Sequence, residues 1–386
     1  MFKFLQGGLS AVVGTAEPIY GPEAFRSVSE TVKGKNPFSD ITANDLSWKP
    51  SSSTSVETQT FYFTCPETGH FGFAQLIFST IMNVHTTATF TFKIVHKDKP
   101  EETLWTSTNL DDFAAEGTNF TAKGLSIKLN EDLTEYKFMS QVNPQSVIDL
   151  TFTRTCPGFK IGADGNSLYG EDKNHPWGSM RHAFWPGAKM SGKIIVKGHL
   201  LEIVDARSMY IMAMQGMKPH HAAARWNFLN YQGTEHSAIL MEFTTPPSYG
   251  ETTVCVAAVT SKDKLIFTSV DNKVEHLKTE LDDVNWPAPK KIRFSLCGPK
   301  IDAVVDGDIK PEDKVEAVIE GDLNWLVERV DVMSEIPAFA KRIASSVSGT
   351  KPYIYQYCNP MKLSLTIDGK TITEEGQAYS EATFIC

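Results

Sequence analysis

The sequence predicts an all-β chain. Three observations carry that prediction: period-2 apolar alternation recurs along most of the 386 residues, Phe and Tyr are abundant at 23 and 11 residues, and helical spacing is convincing in one place only. Alternation every second residue puts one side of a strand in the core and the other in water, and aromatic residues suit such pleated, half-buried surfaces. The pattern is clear where Phe90, Phe92 and Ile94 alternate with Thr89, Thr91 and Lys93, and where Leu125, Ile127 and Leu129 alternate with Ser126 and Lys128. It returns at Ile148, Leu150 and Phe152, at Ile292, Phe294 and Leu296, and at Leu363, Leu365 and Ile367. Asp368-Gly369 then predicts a tight hairpin into Lys370-Thr371-Ile372. The exception is Phe339, Ile343 and Val347, spaced as a helix and closed by Gly349.

Length and composition set the frame. A chain of 386 residues is long enough for two or three cores. Two strand-rich blocks follow residue 56, with the joint placed near Gly216-Met217-Lys218-Pro219, giving 56–217 and 218–386. Sandwiches and closed barrels both fit such blocks, and periodicity does not separate them. A net charge of −9 disfavours nucleic acid as a partner. No apolar run is long enough to span a bilayer. The six cysteines, Cys65, Cys156, Cys255, Cys297, Cys358 and Cys386, show neither a C-x-x-C pair nor histidines at zinc spacing, so they are read as reduced thiols with no metal site. Cys386 lacks a prenylation arrangement. The sequon at Asn119-Phe120-Thr121 would matter only in a secreted protein.

The first sixteen residues allow three readings. A signal peptide is disfavoured because Gln6, Gly7, Gly8 and Ser10 interrupt its apolar region. A helix would gather Phe2, Leu5, Leu9, Val12 and Val13 on one face with Phe4 at its margin, which suits either insertion into a membrane interface or docking on the chain's own domain. Glu17-Pro18 ends it, and residues 17–55, with isolated aromatics and the tract Pro50-Ser51-Ser52-Ser53-Thr54-Ser55, read as a strap laid over a domain.

Two segments are candidates for ligand contact. His175 to Pro186 packs Trp177, Arg181, His182, Phe184 and Trp185 together, as a ligand mouth or as a loop plugging a barrel end. Met209 to Met217 holds Met209, Ile211, Met212 and Met214, adaptable pocket lining or core filler. Catalytic signatures such as G-x-S-x-G, Walker A, G-x-G-x-x-G and H-E-x-x-H are absent. His220-His221 alternate faces if extended and cannot share a metal. Asp205 with Arg207, or His182 with a nearby carboxylate, could form an acid–base pair after folding.

The opening Met1 to Gly21, the run Gly69-His70-Phe71-Gly72-Phe73-Ala74-Gln75, the Trp177 to Pro186 segment and the closing Glu375-Gly376-Gln377-Ala378-Tyr379 together resemble the fungal survival factor 1 family along the whole chain. The resemblance implies two tandem lipocalin-like β-barrels preceded by an N-terminal amphipathic helix. It also implies a cytoplasmic, non-enzymatic carrier of ceramide or a similar sphingolipid, acting between endoplasmic reticulum (ER) and Golgi membranes without a cofactor and linked to survival under oxidative stress. It selects the membrane-interface reading, with Met1, Phe2, Phe4, Leu5, Leu9, Val12 and Val13 as contact residues and an acetylated N-terminus; Phe4 stands where the family places Trp. The competing function is a lipocalin-like hydratase or cyclase acting on an apolar small molecule, and a third reading is a ligand-free scaffold.

Overall fold

A computed structural model describes residues 18–49, 55–81, 85–172, 174–217, 222–332 and 352–385. The expected N-terminal helix, the helix spaced on Phe339, Ile343 and Val347, the His220-His221 pair and Cys386 lie outside the described residues. The rest is two curled antiparallel sheets.

The first sheet runs from Leu104–Asn109 through the meander His85–His96, His70–Ile81 and Ser55–Cys65. It crosses to His199–Gln215 and Gly178–Val196, then continues through Ser146–Arg154 and Glu135–Asn143 to Leu125–Leu129, Asn119–Ala122 and Ala114–Glu116. Curling brings Leu104–Asn109 back against the far side, where Thr106 and Ser146 hydroxyls meet at 2.8 Å and Asn143 Nδ2 donates to Thr108 Oγ1 at 3.3 Å. The second sheet begins at Lys264–Ser269, passes through Thr253–Ser261, His236–Thr244, Arg225–Gln232, Lys370–Phe384, Tyr353–Ile367, Lys314–Asp322 and Pro287–Pro299, and ends at Asp271–Leu281. Asn272 Nδ2, reaching the Cys255 carbonyl at 3.1 Å, ties its two ends together. Barrels, rather than open sandwiches, are therefore what the alternation builds.

Each barrel has its own interior. Phe61, Phe63, Phe90, Phe92, Phe138 and Phe152 fill the first, and Leu229, Leu240, Phe294, Tyr357, Leu363 and Leu365 fill the second. A third apolar layer lies between them, where the outer wall of the first barrel (Tyr62, Phe71, Phe73, Val95, Met209, Ile211) faces Phe228, Ile239, Phe243, Val256 and Tyr379 of the second. Phe71 stacks on Tyr379 with centroids 4.6 Å apart, and Tyr62 lies 5.3 Å from Phe228.

This layer corrects one expectation. Thr91 and Lys93 were expected on a wet face, yet they are 5 % and 2 % exposed because the second barrel covers that face. Lys93 Nζ donates to Gln356 Oε1 at 2.7 Å, pairs with Glu328, and sits 4.7 Å from the Trp105 ring. Burial lowers the Lys93 pKa, with the Glu328 carboxylate opposing it. Elsewhere the alternation holds: Leu125, Ile127 and Leu129 are buried while Lys128 is exposed. Asp368 and Gly369, at φ 53° and 70°, make the expected two-residue turn between Ile367 and Lys370.

A second correction concerns Trp177 to Pro186. The segment is no plugging loop: Gly178–Val196 is one long strand in the middle of the first sheet. Pro186 cannot donate to a ladder, and it is accommodated where the pairing with His199–Gln215 shifts register between Trp185 and Ala188.

The strap binds both barrels. Phe25–Arg26 pairs with Asn166–Tyr169, Phe38–Asp40 pairs with Phe159–Ile161, Tyr20 stacks on Tyr249 at 5.2 Å, and Asn36 Nδ2 reaches the Lys300 and Ala303 carbonyls at 3.1 and 3.0 Å. It also does more than cover: the turn Ala43–Leu46 and the residues after it bury Leu46 and Trp48 in the first barrel's core.

Gly72 sits where two inner rows converge, and a Cβ there would lie 2.3 Å from the Lys93 carbonyl oxygen and 2.4 Å from Phe63 Cζ. Gly72→Ala is expected to cost about 3 kcal/mol in a urea titration, since backbone and an aromatic core ring must both move.

Candidate functional site

Three neighbouring strands build the candidate site inside the first barrel. Their register places Glu57, Met214 and Arg181 at one level, Gln59, Met212 and Ala183 at the next, and Phe61, Tyr210 and Trp185 at the third. Period 2 sends this set inward. The Trp185 ring lies 5.0 Å from Tyr136 and 5.2 Å from Tyr210, and Tyr136 donates its hydroxyl hydrogen to Tyr210 Oη at 3.4 Å. The candidate residues therefore divide by parity. Trp185, Met212 and Met214 belong to the barrel interior, whereas His182, Phe184, Met209 and Ile211 point to the opposite face, where Phe184, Met209 and Ile211 join the layer between barrels. Trp177 is 43 % exposed and packs beside Tyr20 at 5.7 Å and Tyr249 at 5.9 Å, at the margin of the layer between barrels and outside the first barrel's interior.

At the Glu57 end, the strap closes the barrel through a buried polar cluster. Asp45 takes Arg181 Nη2 on Oδ1 at 2.6 Å and Lys160 Nζ on Oδ2 at 2.7 Å, while its Oδ2 also accepts the Thr42 backbone N–H at 2.7 Å. Burial pushes the Asp45 carboxyl up, but the bonds from Lys160 and Thr42 outweigh it and leave the pKa below the ordinary value. Glu57 Oε2 accepts the Lys49 N–H at 2.9 Å, and Gln59 Nε2 donates to the Leu46 carbonyl at 3.3 Å. Burial raises the Glu57 carboxyl to about 7, with the Lys49 N–H and Arg181 opposing the rise.

Four polar atoms in this core have no hydrogen-bond partner in the protein: Glu57 Oε1, Gln59 Oε1, Trp48 Nε1 and Trp185 Nε1. Leaving a buried donor or acceptor unmade costs about 1–3 kcal/mol each, so such a grouping requires an explanation. Behind Trp185, a cleft of 420 Å³ lined by Asp40, Ile41, Arg154, Cys156, Gly158 and Asp263 opens to solvent. Arg154 lies over the Trp185 ring at 5.7 Å, and Gly158 packs so closely that a Cβ would sit 2.8 Å from Trp185 Cδ1.

The acid–base pairings considered from sequence do not assemble. Asp205 takes Lys189 at 3.0 Å, and Arg207 reaches the Gln232 carbonyl at 3.5 Å. Burial lowers the His182 pKa to about 4, leaving a neutral imidazole at pH 7. Among the described residues, no group of three His, Cys, Asp or Glu is placed to hold a metal. The described cysteines are free, and Asn119 of the sequon spends its Oδ1 on the Leu129 N–H at 3.0 Å. Glu57, Gln59, Asp45, Lys160 and Arg181 were not singled out from sequence as a group. A signal existed: in Ser55–Cys65, Glu57 and Gln59 fall on the same parity as Phe61 and Phe63, polar residues on a core stripe.

The Svf1 family model matches residues 2–386. The chain belongs to the Svf1 family. The ceramide-binding protein of Debaryomyces hansenii is 51 % identical over 387 residues, and that of Yarrowia lipolytica is 49 % identical over 399, each alignment covering all of both chains. The Candida albicans ceramide-binding protein is 46 % identical over 391 residues, again across both full lengths. Among solved structures, an AttH protein of Nitrosomonas europaea has a TM-score of 0.57 at 10 % identity, covering 89 % of this chain and 97 % of its own. Kievitone hydratase of Nectria haematococca, at 0.53 and 14 %, and CghA with Sch210972, at 0.55 and 10 %, each align over 94 % of this chain and 98 % of theirs. At such identities these structures share the fold alone, and this Svf1-family chain is accordingly two tandem lipocalin-like barrels.

A carboxyl raised by burial keeps its proton in the folded chain between the ordinary value of 4.5 and about 7. Its contribution to stability is full below the lower value and is lost as pH rises through the upper one. Glu57→Gln is therefore expected to match the parent near pH 4.5 and to exceed it by roughly 3 kcal/mol at pH 8 in denaturant titrations at the two pH values.

Proposed function

We propose that this protein binds ceramide in a barrel interior and carries it between ER and Golgi membranes, docking reversibly through residues 1–16. The observation that carries the reading is identity of 51 % across the full length of a ceramide-binding relative. The fold supports it on physical grounds. Two long alkyl chains cost about 0.8 kcal/mol per CH₂ in water, so movement between membranes needs an enclosed apolar container. Lipocalin-type barrels provide one.

Docking falls to Met1, Phe2, Phe4, Leu5, Leu9, Val12 and Val13. With Lys3 as the one basic residue among the first sixteen, binding would rest on apolar insertion rather than on anionic lipid, and it would reverse readily. Among the described residues no helix is long and apolar enough to cross a membrane. Leu5→Glu is expected to move the full-length protein from the membrane pellet to the supernatant in a vesicle flotation assay, with an unchanged melting temperature; undiminished flotation would count against the docking role.

A binder rather than an enzyme is favoured by the relatives' names and by the scattered acid–base candidates. A link to oxidative stress through lipid handling fits the burial of three thiols. Burial pushes the thiols of Cys65, Cys156 and Cys358 up to about 12, which suppresses the reactive thiolate. Peroxide treatment of the folded protein is expected to leave these three unmodified by peptide mass spectrometry, while the urea-unfolded chain takes up oxygen at all of them.

A further inference from the structure

We propose that Glu57, Gln59, Trp48 and Trp185, inside the first barrel, receive the head of a neutral hydroxy-amide lipid. The inference rests on the ceramide-carrier reading and deepens it by naming the barrel and the recognising atoms. Glu57 is 2 % exposed, Gln59 and Trp185 0 % and Trp48 4 %, and each presents one polar atom that the protein leaves without a partner. Gln59 Oε1 accepts, the two indole N–H groups donate, and Glu57 Oε1 accepts when the carboxyl is ionised and donates when it is protonated, since Oε2 already takes the Lys49 N–H. A ceramide head can meet them: its two hydroxyls both give and receive, its amide N–H gives and its amide carbonyl receives. Among the described residues the second barrel leaves only hydroxyls, Ser380 Oγ and Thr268 Oγ1 among them, buried without a partner, and no carboxyl, amide or indole.

The charges nearby select against ionic heads. Arg181 and Lys160 share the single carboxylate of Asp45, at 2.6 and 2.7 Å, so this buried cluster keeps one net positive charge, too little to offset the desolvation of a phosphate dianion. A free ammonium would stand near the Arg181 guanidinium, which lies close enough to act on both Glu57 and Tyr210. A neutral amide meets neither obstacle. Ala183, the smallest side chain on the three central strands' inner levels, sits between Arg181 and Trp185. Met212 and Met214 on the adjoining strand supply unbranched side chains that rearrange at low cost around alkyl chains. The solvent-open cleft behind Trp185 and Gly158 lies one residue layer from this position.

The test uses the full-length protein mixed with phosphatidylcholine vesicles containing a photoactivatable ceramide, re-isolated and analysed by native mass spectrometry and, after illumination, by peptide mapping. The parent is expected to retain one ceramide and to carry the label on peptides of Ser55–Cys65, Gly178–Val196 or His199–Gln215. Gln59→Leu and Trp185→Phe are each expected to lower retention about tenfold, whereas Tyr357→Phe in the second barrel leaves it unchanged. Ceramide phosphate and sphingosine are expected to be retained at least tenfold less well than ceramide. Label confined to second-barrel peptides, or equal retention by the parent and both first-barrel variants, would overturn the site while leaving the carrier reading standing; in that case the four atoms hold water only. Failure of the folded parent to retain any ceramide would overturn the carrier reading itself. Mapping on the parent decides the question even if a variant does not fold.

Discussion

The apolar layer between the two barrels is the constraint from which the rest follows. Tyr62, Phe71, Phe73, Met209 and Ile211 stand on the outer wall of the first barrel, and Phe228, Phe243, Val256 and Tyr379 answer them from the second. An isolated barrel with that wall would expose a contiguous aromatic patch, which soluble domains avoid. Neither barrel is therefore an independent unit in energetic terms, and the strap that pairs with one and hydrogen-bonds to the other reinforces the same joint. Lys93 shows how strictly the joint is closed: a charged side chain inside it is matched by Glu328, Gln356 and a Trp105 face rather than by water.

Because residues 180–188 and 208–212, within the central strands Gly178–Val196 and His199–Gln215, have both faces buried, one residue of sequence separates two different jobs. Phe184 and Ile211 hold the barrels together, and their neighbours Trp185, Tyr210 and Met212 form the interior. A one-residue register slip would exchange the sets, placing Met209 where Tyr210 stands and opening the joint. The register shift at Trp185/Ala188 lies in this stretch, where Pro186 interrupts the ladder and the outer strands Phe159–Ile161 and Ser146–Arg154 exchange as partners of the long strand.

Much of this was legible in the sequence, and the exceptions share a cause. Alternation identified the strands at Leu125, Ile148, Ile292 and Leu363 because their outer faces really are wetter than their inner ones. It failed at Thr91 and Lys93, where the neighbour covering the outer face is far away in sequence and leaves no local mark. The Trp177 to Pro186 segment admitted a ligand-mouth or plugging-loop reading for the same reason: a strand buried on both sides loses its period. Barrel closure was likewise invisible, since Thr106 with Ser146 and Asn272 with Cys255 meet only after folding. The candidate site divides in the same way. Trp185 and Met212 were visible as large apolar residues, but the strap's Asp45 joins Lys160 and Arg181 across long sequence separations.

A container for lipid has to reconcile two demands that a simple core does not. Its alkyl-facing walls are best left purely apolar, yet a head with hydroxyls and an amide cannot enter such a space without losing its bonds to water. The first barrel gathers Glu57, Gln59 and the Asp45, Lys160 and Arg181 cluster toward the end that the strap closes, and carries the Trp185 indole and the Tyr136 and Tyr210 hydroxyls further in. The wall beside them carries phenyl rings, those of Phe61, Phe138 and Phe152. Polarity graded along the barrel axis would orient a two-chain lipid by the cost of inverting it: reversal would bury the head among phenyl rings and leave the four polar atoms unpaired. The gradient depends on where Ser55–Cys65 is registered against His199–Gln215, and that register is held by the Tyr62 and Met209 side chains of the joint. The apolar layer outside the barrel thus sets the polar order within it.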